Sequence, residues 1–356
     1  MNNKRGLSAI IITLIIVGLS LVAVGIVWGV VSNLLKSSEE QSTSQYDTLF
    51  LNMKVEKVVS EQDGISVQIS RGSGGGTISG VAITISDGEN TKVIKREVAG
   101  FEPLEHKTFS ITSSEMENLV FVKSVSVSPL IQKNVGNVLD KLEFSNKEIL
   151  KNIGAVSWWK LDGNARDEIG NNHGTIFGNV QFVEGKHGQG ANFDGATGYI
   201  NTSNTNNLSE EFTLFAWVKP SSNIGTAGQR FTVMSTYPPG WIFDLGEETN
   251  GEFYRFHSGT GGSTRTYYPP SKLISLEWTN FVVTRDSLNN FNMYLDGNSV
   301  TTSTSFSSVI PSTRNVLIGR RTEGLFFNGT LDELFIFNRA LTSEQVKVLY
   351  EMDLTN

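Results

Sequence analysis

Residues 327–350 read FNGTLDELFIFNRALTSEQVKVLY, an apolar strand followed by a short helix. Thr342 and Gln345 have the spacing of a capping box, which marks the start of the helix. The helix then has an apolar side made of Val346, Leu349 and Tyr350. The strand contains two acids, Asp332 and Glu333, although most of their neighbours are apolar. The use that a largely buried strand has for these two carboxylates is the first question that the sequence raises.

The region before this stretch has the composition of turn-rich β-structure. Short apolar runs alternate with Gly, Asn, Ser and Thr, and the chain has 35 glycines against 8 prolines. The pair Asp296-Gly297, between FNMYL and NSV, is a strong hairpin signal. Many short candidate strands, with no helical stretch before the end, predict one large two-sheet jelly roll over 153–351.

Several segments of this region together resemble the laminin-G-like, or concanavalin-A-like, jelly roll in its three-motif bacterial and archaeal form. They are VSWWKLDGNARDEIGNNHGT, GANFDGATGYI, FTLFAWVKP, WTNFVVTRD, YLDGNSV and the stretch quoted above, in the family's order. The resemblance implies a binding or adhesion module, often for glycans or surface partners, that is frequently stabilised by one calcium ion. Because a fold does not fix its ligand, the site has to be argued from residues.

The implied calcium ion gives the two acids a candidate role. Asp332, on the last strand, is expected near loops that offer carboxylate and amide oxygens, which are the ligands that calcium prefers. The predicted calcium ligands are Asp162, Asn164, Asp167, Asp194 and Asp332. The alternative is that Asp332 faces solvent or accepts backbone N–H groups at a turn. Glu333, one residue further, is expected on the other face and in water.

The same alternation of faces argues against a hydrolase. Glycosidases need two carboxylates that face one bond, whereas neighbouring strand residues such as Asp332 and Glu333 point to opposite faces. The chain also lacks the Glu-x-Asp-x-x-Glu run of the jelly-roll glycosidases that the fold resembles. We therefore expect a protein without catalytic activity.

The stretch 237–268 is the predicted ligand face, because carbohydrate sites combine aromatic rings with polar groups on loops. Its candidate residues are Tyr237, Trp241, Tyr254, His257, Arg265, Tyr267 and Tyr268. Most other aromatic residues of the domain fall in strand patterns and are expected in the core. The alternative for 237–268 is that its rings also fill the inside of a curved sheet.

Residues 47–130 have a shorter β-pattern of their own. Apolar residues at every second position are separated by turn signals such as Asp87-Gly88. This pattern predicts a small antiparallel β-sandwich, followed by a polar linker over 131–152. In pattern and position the region resembles the globular part of an archaeal pilin-like protein.

The first 36 residues read MNNKRGLSAIIITLIIVGLSLVAVGIVWGVVSNLLK. No charged residue occurs from Leu7 to Val31, a length that gives about 37 Å of helix at about 1.5 Å per residue. Such a helix can cross a hydrocarbon core of about 30 Å. Because basic residues precede the apolar run and acidic residues follow it, everything after residue 36 is expected outside the cell.

The junction KRGLSAII resembles the class III leader of archaeal type IV prepilins and archaellins. The resemblance implies a basic leader over 1–6, cleavage between Gly6 and Leu7, and a pilin-core helix over 7–36 with other pilin-like subunits as partners. The alternative is an uncleaved anchor that contacts membrane lipid through residues 7–31. Both place the bulk of the chain at the cell surface. Three sequons are then candidate glycosylation sites, at Asn201, Asn207 and Asn328.

The bulk composition excludes several classes of protein. A net charge of −7 argues against nucleic acid as a partner, because phosphate binding needs a basic face. The absence of cysteine excludes a disulfide framework, a catalytic thiol and a Cys-ligated zinc site. The sequence therefore predicts an all-β surface protein on an N-terminal helix, which binds a glycan or a surface partner. The alternatives are a structural filament subunit with a non-binding jelly roll and a jelly-roll glycoside hydrolase.

Overall fold

The structure of the chain is a computed structural model. It describes residues 51–355 except for 62, 75–76, 132–133, 204–207, 209, 222–229, 237–239, 249–250, 260–263, 269–276, 302–303, 306–313 and 322–323. The predicted leader, its cleavage between Gly6 and Leu7, and the helix over 7–36 lie outside the described residues and stay predictions. In the part of the chain that is described, no helix is long and apolar enough to cross a membrane.

The first β-sandwich is formed by two antiparallel sheets that pack on each other. Its three-stranded sheet has the order β1-β2-β5, and its five-stranded sheet has the order β4-β3-β6-β7 with β8 also on β6. The strands are β1 Met53–Glu61, β2 Gly64–Arg71, β3 Gly80–Ser86, β4 Thr91–Glu97, β5 His106–Ile111, β6 Ser124–Ile131, β7 Asn134–Val135 and β8 Asp140–Glu143. The alternating residues Val67, Ile83 and Val127 are fully buried between the sheets. This is the small antiparallel sandwich that the period of two predicts.

The described part of the interval 131–152, which is predicted as a polar linker, instead contains strands and a helix. It contributes β7 and β8 to the five-stranded sheet and continues as helix α1, Asn146–Asn152. Ser145 caps α1 in a complete capping box, and Ile149 and Leu150 are its buried residues. The interval looks like a linker in sequence because both residues of β7 are exposed and α1 buries only one narrow side.

The second sandwich has a nine-stranded sheet at its centre. The order is β11-β12-β24-β14-β19-β20-β21, with β9 also on β24 and β22 also on β20. The strands are β9 Ala155–Trp159, β11 Val180–Glu184, β12 Gln189–Asp194, β14 Phe212–Pro220, β19 Thr279–Arg285, β20 Asn290–Leu295, β21 Asn298–Ser299, β22 Thr304–Ser305 and β24 Asn328–Phe337. Because β14 and β24 are buried on both faces, they are almost continuous apolar runs in the sequence.

A seven-stranded sheet packs on the inner face of the nine-stranded sheet. Its order is β10-β13-β23-β15-β16-β17-β18. The strands are β10 Gly174–Phe177, β13 Tyr199–Thr202, β15 Arg230–Ser235, β16 Trp241–Glu248, β17 Gly251–Ser258, β18 Thr264–Tyr267 and β23 Leu317–Ile318. Rings from both sheets meet in the core, where Phe243 stacks on Phe281 with 4.2 Å between ring centroids. The predicted two-sheet jelly roll is confirmed.

Helix α2, Ser343–Glu351, covers the outer face of the nine-stranded sheet. The predicted capping box is confirmed: the Gln345 N–H donates to the Thr342 hydroxyl at 3.2 Å, and the Thr342 N–H donates to the Gln345 side chain at 3.1 Å. Val346 and Leu349 of α2 are buried against the sheet.

The two sandwiches share one apolar cluster at this outer face. Phe121 of the first sandwich and Ile149 of α1 belong to the same buried cluster as Leu349 of α2 and Phe335 of β24. The Asn146 amide also donates to the carbonyl oxygen of Asp353 at 2.8 Å. The outer face of the nine-stranded sheet is therefore occupied by the junction between the sandwiches.

Candidate functional site

A β-bulge in β24 brings the two acids of the opening stretch to one face of the sheet. The pairing of β24 with β14 shifts by one residue, so that Glu333 and Leu334 together face a single position of β14. Glu333 accommodates the bulge with a φ of 48°, in the left-handed region. As a result Leu331 and Leu334 both enter the core between the sheets, while both carboxyl groups lie on the helix-covered face. The expected alternation of faces does not hold at this point.

Asp332 is fully buried and accepts three backbone N–H groups. Its Oδ2 accepts from Lys186 at 2.7 Å and from His187 at 2.9 Å, and its Oδ1 accepts from Glu333 at 2.8 Å. Burial raises the pKa of Asp332 to about 7, although the N–H bonds oppose the rise. Lys186 and His187 belong to the turn between β11 and β12. These contacts agree with the alternative to a calcium ligand, in which Asp332 accepts backbone N–H groups at a turn.

Glu333 is fully buried as well, which corrects the expectation that it points into water. Its Oε2 accepts from the indole N–H of Trp158, and its Oε1 has no hydrogen-bond partner in the described part of the chain. Burial and the adjacent charge of Asp332 raise the pKa of Glu333 well above its ordinary value. The bulge is the physical reason, because it turns this side chain toward Trp158.

The predicted calcium ligands have oxygen atoms that protein donors already engage. Asp194 accepts from the Thr197 hydroxyl and from three N–H groups of the turn that follows it, and these bonds hold its pKa well below the usual range. Asp167 accepts four backbone N–H groups. Asp162 accepts the N–H of Gln189 at 2.6 Å and pairs with Lys160 at 3.3 Å.

These residues also do not come together as one set. Asp194 lies opposite Asn328 in the pairing of β12 with β24, four residues and therefore about 13 Å along the strand from Asp332. Asn164 uses its side-chain oxygen to accept the N–H of Arg166. Among the described residues, no group of three or more acidic or histidine side chains could hold a metal ion. The five residues thus do not fit a calcium site as placed, and calcium binding stays a prediction from the resemblance.

The predicted ligand face over 237–268 is divided between the core and the surface. Trp241 and Tyr254 are 1% and 2% exposed and lie in the core between the two sheets. Tyr267 packs against the same core, and Arg265 lies opposite Phe256, which is another core residue. This corrects the prediction for Trp241 and Tyr254, because a ring that fills the space between two sheets has no face left for a sugar.

Two of the predicted residues lie on the outer side of the seven-stranded sheet instead. The His257 Nδ1 is 2.7 Å from the Thr264 hydroxyl, on neighbouring strands. Tyr268 makes an edge contact with Phe253, with 6.5 Å between ring centroids. Tyr237 lies outside the described residues. Most of the predicted rings, namely Trp241, Tyr254 and Tyr267, therefore agree with the alternative in which the aromatic residues of 237–268 fill the inside of a curved sheet.

A groove on the outer face of the seven-stranded sheet was not predicted from the sequence. It has a volume of about 220 Å³ and is lined by Asn201, Thr236, Arg314, Asn315 and Leu317. Asn201 and Leu317 lie opposite each other on β13 and β23. The side-chain oxygen of Asn201 is buried and has no hydrogen-bond partner among the described residues. A buried acceptor without a donor is a polar group that a ligand or a water molecule can satisfy.

Two stacked aromatic rings lie on the same face as the groove. Phe177 and Tyr199 are opposite each other on β10 and β13, with 4.9 Å between ring centroids and an angle of 11° between ring planes. Phe177 is 41% exposed. Tyr199 and Asn201 are two residues apart on β13, so their side chains share a face at a separation of about 7 Å. The rings therefore border the groove.

Arg320 lies beside Tyr199 on this outer face of the seven-stranded sheet. Its guanidinium carbon is 4.6 Å from the ring centroid of Tyr199 and 5.0 Å from that of Phe326. The two rings are themselves in contact, at 6.4 Å between centroids. Asn201, Tyr199, Phe177 and Arg320 thus bring an amide, two rings and a cation to one place.

The sequons stay predictions of glycosylation. Asn201 lies in the groove, so a glycan attached there would occupy it. Asn328 begins β24 beside the turn at Gly195. Asn207 lies outside the described residues.

Comparison with known proteins identifies the fold of this domain. A family model described as the concanavalin A-like lectin/glucanases superfamily, of laminin-G type, matches residues 194–347. Residues 194–347 carry a concanavalin A-like jelly roll. The matched part is less than half of the chain, and it includes the groove, Arg320 and the acid pair of β24. No curated protein matches the chain.

Solved structures are similar to the jelly roll at low identity. Domain 4 of AbnA, a GH43 extracellular arabinanase from Geobacillus stearothermophilus in complex with arabinotriose, is 22% identical with a TM-score of 0.47, covering 55% of this chain and 99% of that one. The binding domain of Paraclostridial Mosquitocidal Protein 1 is 19% identical with a TM-score of 0.45, covering 55% of this chain and 52% of that one. The receptor binding domain of botulinum neurotoxin C/D mosaic serotype is 15% identical with a TM-score of 0.44, covering 56% and 51%. This chain therefore spans about half the length of the two toxin domains.

Proposed function

We propose that this chain is a surface-displayed binding protein whose jelly roll takes a glycan on the outer face of the seven-stranded sheet. The observation that carries the proposal is the combination of the groove at Asn201 with the stacked rings of Phe177 and Tyr199 beside it. Saccharides present both apolar C–H faces and hydroxyl groups, and a site that holds them needs rings and polar side chains together. A family description that names lectins supports the same function.

Glycan binding can be tested by screening the full chain on a glycan array. We expect Tyr199→Ala and Phe177→Ala to weaken binding by tenfold or more, because Phe177 offers the exposed ring and Tyr199 is the ring on which it stacks. Leu288→Ala is the matched control, since Leu288 is 78% exposed on the turn between β19 and β20, away from the groove. Binding that survives both ring substitutions would place the site elsewhere, and a wild-type chain that binds no glycan would contradict the proposal.

The proposed location at the cell surface rests on the N-terminal sequence. The uncharged run from Leu7 to Val31 supports either a membrane anchor or association with a pilus through pilin-like subunits. Mass spectrometry of the mature protein separates the two: a chain that starts at Leu7 supports the pilin-like form, and one that keeps residues 1–6 supports the anchor. Intact molecules recovered only from the soluble cytosol would contradict both.

A structural filament subunit is the second candidate function, and one observation favours it. The shared cluster of Phe121, Ile149 and Leu349 fastens the jelly roll to the first sandwich, as a passive decoration of a filament would require. Glycan binding distinguishes the two candidate functions. A jelly roll that only decorates a filament should bind no glycan on the array, whereas a binding protein should bind at least one.

The absence of catalysis also belongs to the proposal. Asp332 and Glu333 are both 0% exposed, and their oxygen atoms face backbone N–H groups and the Trp158 indole rather than a cleft. Carboxylates that no substrate can reach cannot act as the acid and base of a glycosidase. Release of reducing sugar from a bound oligosaccharide by the full chain would contradict this part of the proposal.

A further inference from the structure

Arg320 contacts two aromatic rings, and no carboxylate among the described residues pairs with it. Its guanidinium group lies within 5.0 Å of the centroids of both Tyr199 and Phe326, a distance at which cations bind aromatic faces. Its Nε is buried and has no hydrogen-bond partner in the described part of the chain. The residue as a whole is half-buried, and its terminal N–H groups are not among the buried polar atoms without a partner, so they are the part of the guanidinium group that an acceptor can reach.

Arg255 of the same sheet shows what an arginine with a structural role looks like. Its guanidinium carbon is 4.6 Å from the ring centroid of Phe253, a contact of the same kind. In contrast to Arg320, however, it forms a two-point ion pair with the buried Asp244, at 3.0 Å from Nε to Oδ1 and 2.5 Å from Nη2 to Oδ2. The fold supplies Arg255 with its carboxylate and supplies none among the described residues to Arg320.

We propose that the groove is selective for acidic saccharides and that Arg320 binds their carboxylate or sulfate group. This inference rests on the proposed function and names the chemical class of its ligand. A guanidinium group matches a planar or branched oxyanion with two parallel N–H bonds, and such charge-assisted bonds are stronger than neutral ones. An oxyanion on the ligand would supply the anionic partner that the described residues do not give to Arg320.

The placement of the neighbouring residues fits one ligand that spans the site. A sugar ring against the exposed ring of Phe177 lies near Arg320, because Phe177 and Arg320 both contact the ring of Tyr199. Asn201, on the same face of β13, offers its unpaired oxygen to a hydroxyl or amide N–H of the same ligand. Arg314 also lines the groove and adds a second positive charge there, although the whole chain has a net charge of −7.

The test compares matched oligosaccharides by calorimetric titration of the full chain at about 150 mM salt, where long-range charge effects are screened. One oligosaccharide carries a uronic acid, a second is its methyl ester, and a third carries a sulfate in place of the carboxylate. We expect the acidic forms to bind about 10- to 100-fold more tightly than the ester, which is the range for a charge-assisted pair of hydrogen bonds. The carboxylate and sulfate arms then show which oxyanion the site prefers.

Three variants connect the selectivity to Arg320. Arg320→Gln should lower the affinity for the acidic forms to that for the ester, whereas Arg320→Lys, which keeps the charge but loses the planar fork, should give an intermediate value. Arg166→Gln removes an exposed charge on a different loop and should change nothing.

The outcomes separate this inference from the function on which it rests. Equal affinity for the acid and the ester, both lost in Tyr199→Ala, would overturn the selectivity and leave glycan binding intact. Selectivity that persists in Arg320→Gln, in a variant that melts like the wild-type chain, would overturn the role of Arg320. Binding of none of the three oligosaccharides, together with a blank array, would reject glycan binding itself.

Discussion

Asp332 should make the stability of the jelly roll fall as the pH rises, opposite to the usual effect of a carboxylate. Its ordinary pKa is 3.8 and burial raises the pKa in the folded chain to about 7. The folded state therefore holds the proton more tightly than the unfolded state between these two values. The contribution of Asp332 to stability is complete below pH 3.8 and is lost as the pH rises through about 7. The difference of about three units between the two pKa values corresponds to a loss of roughly 4 kcal/mol in the free energy of unfolding, at about 1.36 kcal/mol per unit.

The substitution Asp332→Asn tests this reasoning because it removes the titration and keeps the shape. An amide has one acceptor oxygen and cannot serve all three of the N–H groups that Asp332 accepts, so at least one buried N–H loses its partner at a cost of about 1–3 kcal/mol. At pH 4 the variant should be less stable than the wild-type chain by that amount. At pH 8 the wild-type chain has lost roughly 4 kcal/mol, so the variant should be the more stable of the two by about 1–3 kcal/mol.

Urea unfolding followed by tryptophan fluorescence at pH values from 4 to 8 measures the difference. Five of the six tryptophans lie in the jelly roll, and the sixth, Trp28, lies in the N-terminal segment. The first sandwich has no tryptophan, so the fluorescence signal reports on the unfolding of the jelly roll. The reasoning is refuted if the two stability curves stay parallel across this range. Asp194→Asn is the control with the opposite sign: hydrogen bonds lower the pKa of Asp194, so its contribution is present at neutral pH and is lost as the pH falls.

Three further predictions follow from the same contacts. Glu333→Gln keeps an acceptor for the Trp158 indole and removes a buried acid whose pKa is raised, so we expect unfolding at pH 9 to need more urea than in the wild-type chain. A lower urea midpoint in the variant would contradict a raised pKa of Glu333. Phe121→Ala should lower the free energy of unfolding by about 3 kcal/mol, because it leaves a cavity in the cluster that joins the two sandwiches. Calorimetry should then show two unfolding transitions in place of one, whereas the control Val93→Ala, at an exposed position, should keep a single transition. A chelator should leave the melting temperature within about 1 °C, because protein donors engage the oxygens of the predicted calcium ligands; a fall of several degrees would show a calcium site.

The features that the sequence predicts well are local. The strand and helix of 327–350 depend on an apolar run and a four-residue capping box, and both signals lie within the segment that they describe. The period of two identifies the strands of both sandwiches for the same reason. The jelly roll could therefore be predicted from short segments and their order along the chain.

The features that the sequence does not predict depend on contacts between distant segments. The bulge at Glu333 follows from the register of β24 against β14, and an isolated Asp-Glu pair has no mark of it. Phe177 and Tyr199 form a pair only because β10 lies opposite β13. Trp241 resembles a loop residue because prolines and a glycine precede it in the sequence, yet it is the first residue of β16 and is almost completely buried.

The two outer faces of the jelly roll have different surroundings, and this difference supports the choice of ligand face. The outer face of the nine-stranded sheet is covered by α1, α2 and Phe121, and it carries the buried acid pair. The outer face of the seven-stranded sheet lies across the core, about 10 Å further at the sheet-to-sheet spacing, and holds the groove and Arg320. The first sandwich meets the jelly roll at the covered face. A ligand held at Arg320 would therefore lie on the side of the jelly roll that points away from the first sandwich, as the proposed surface display requires.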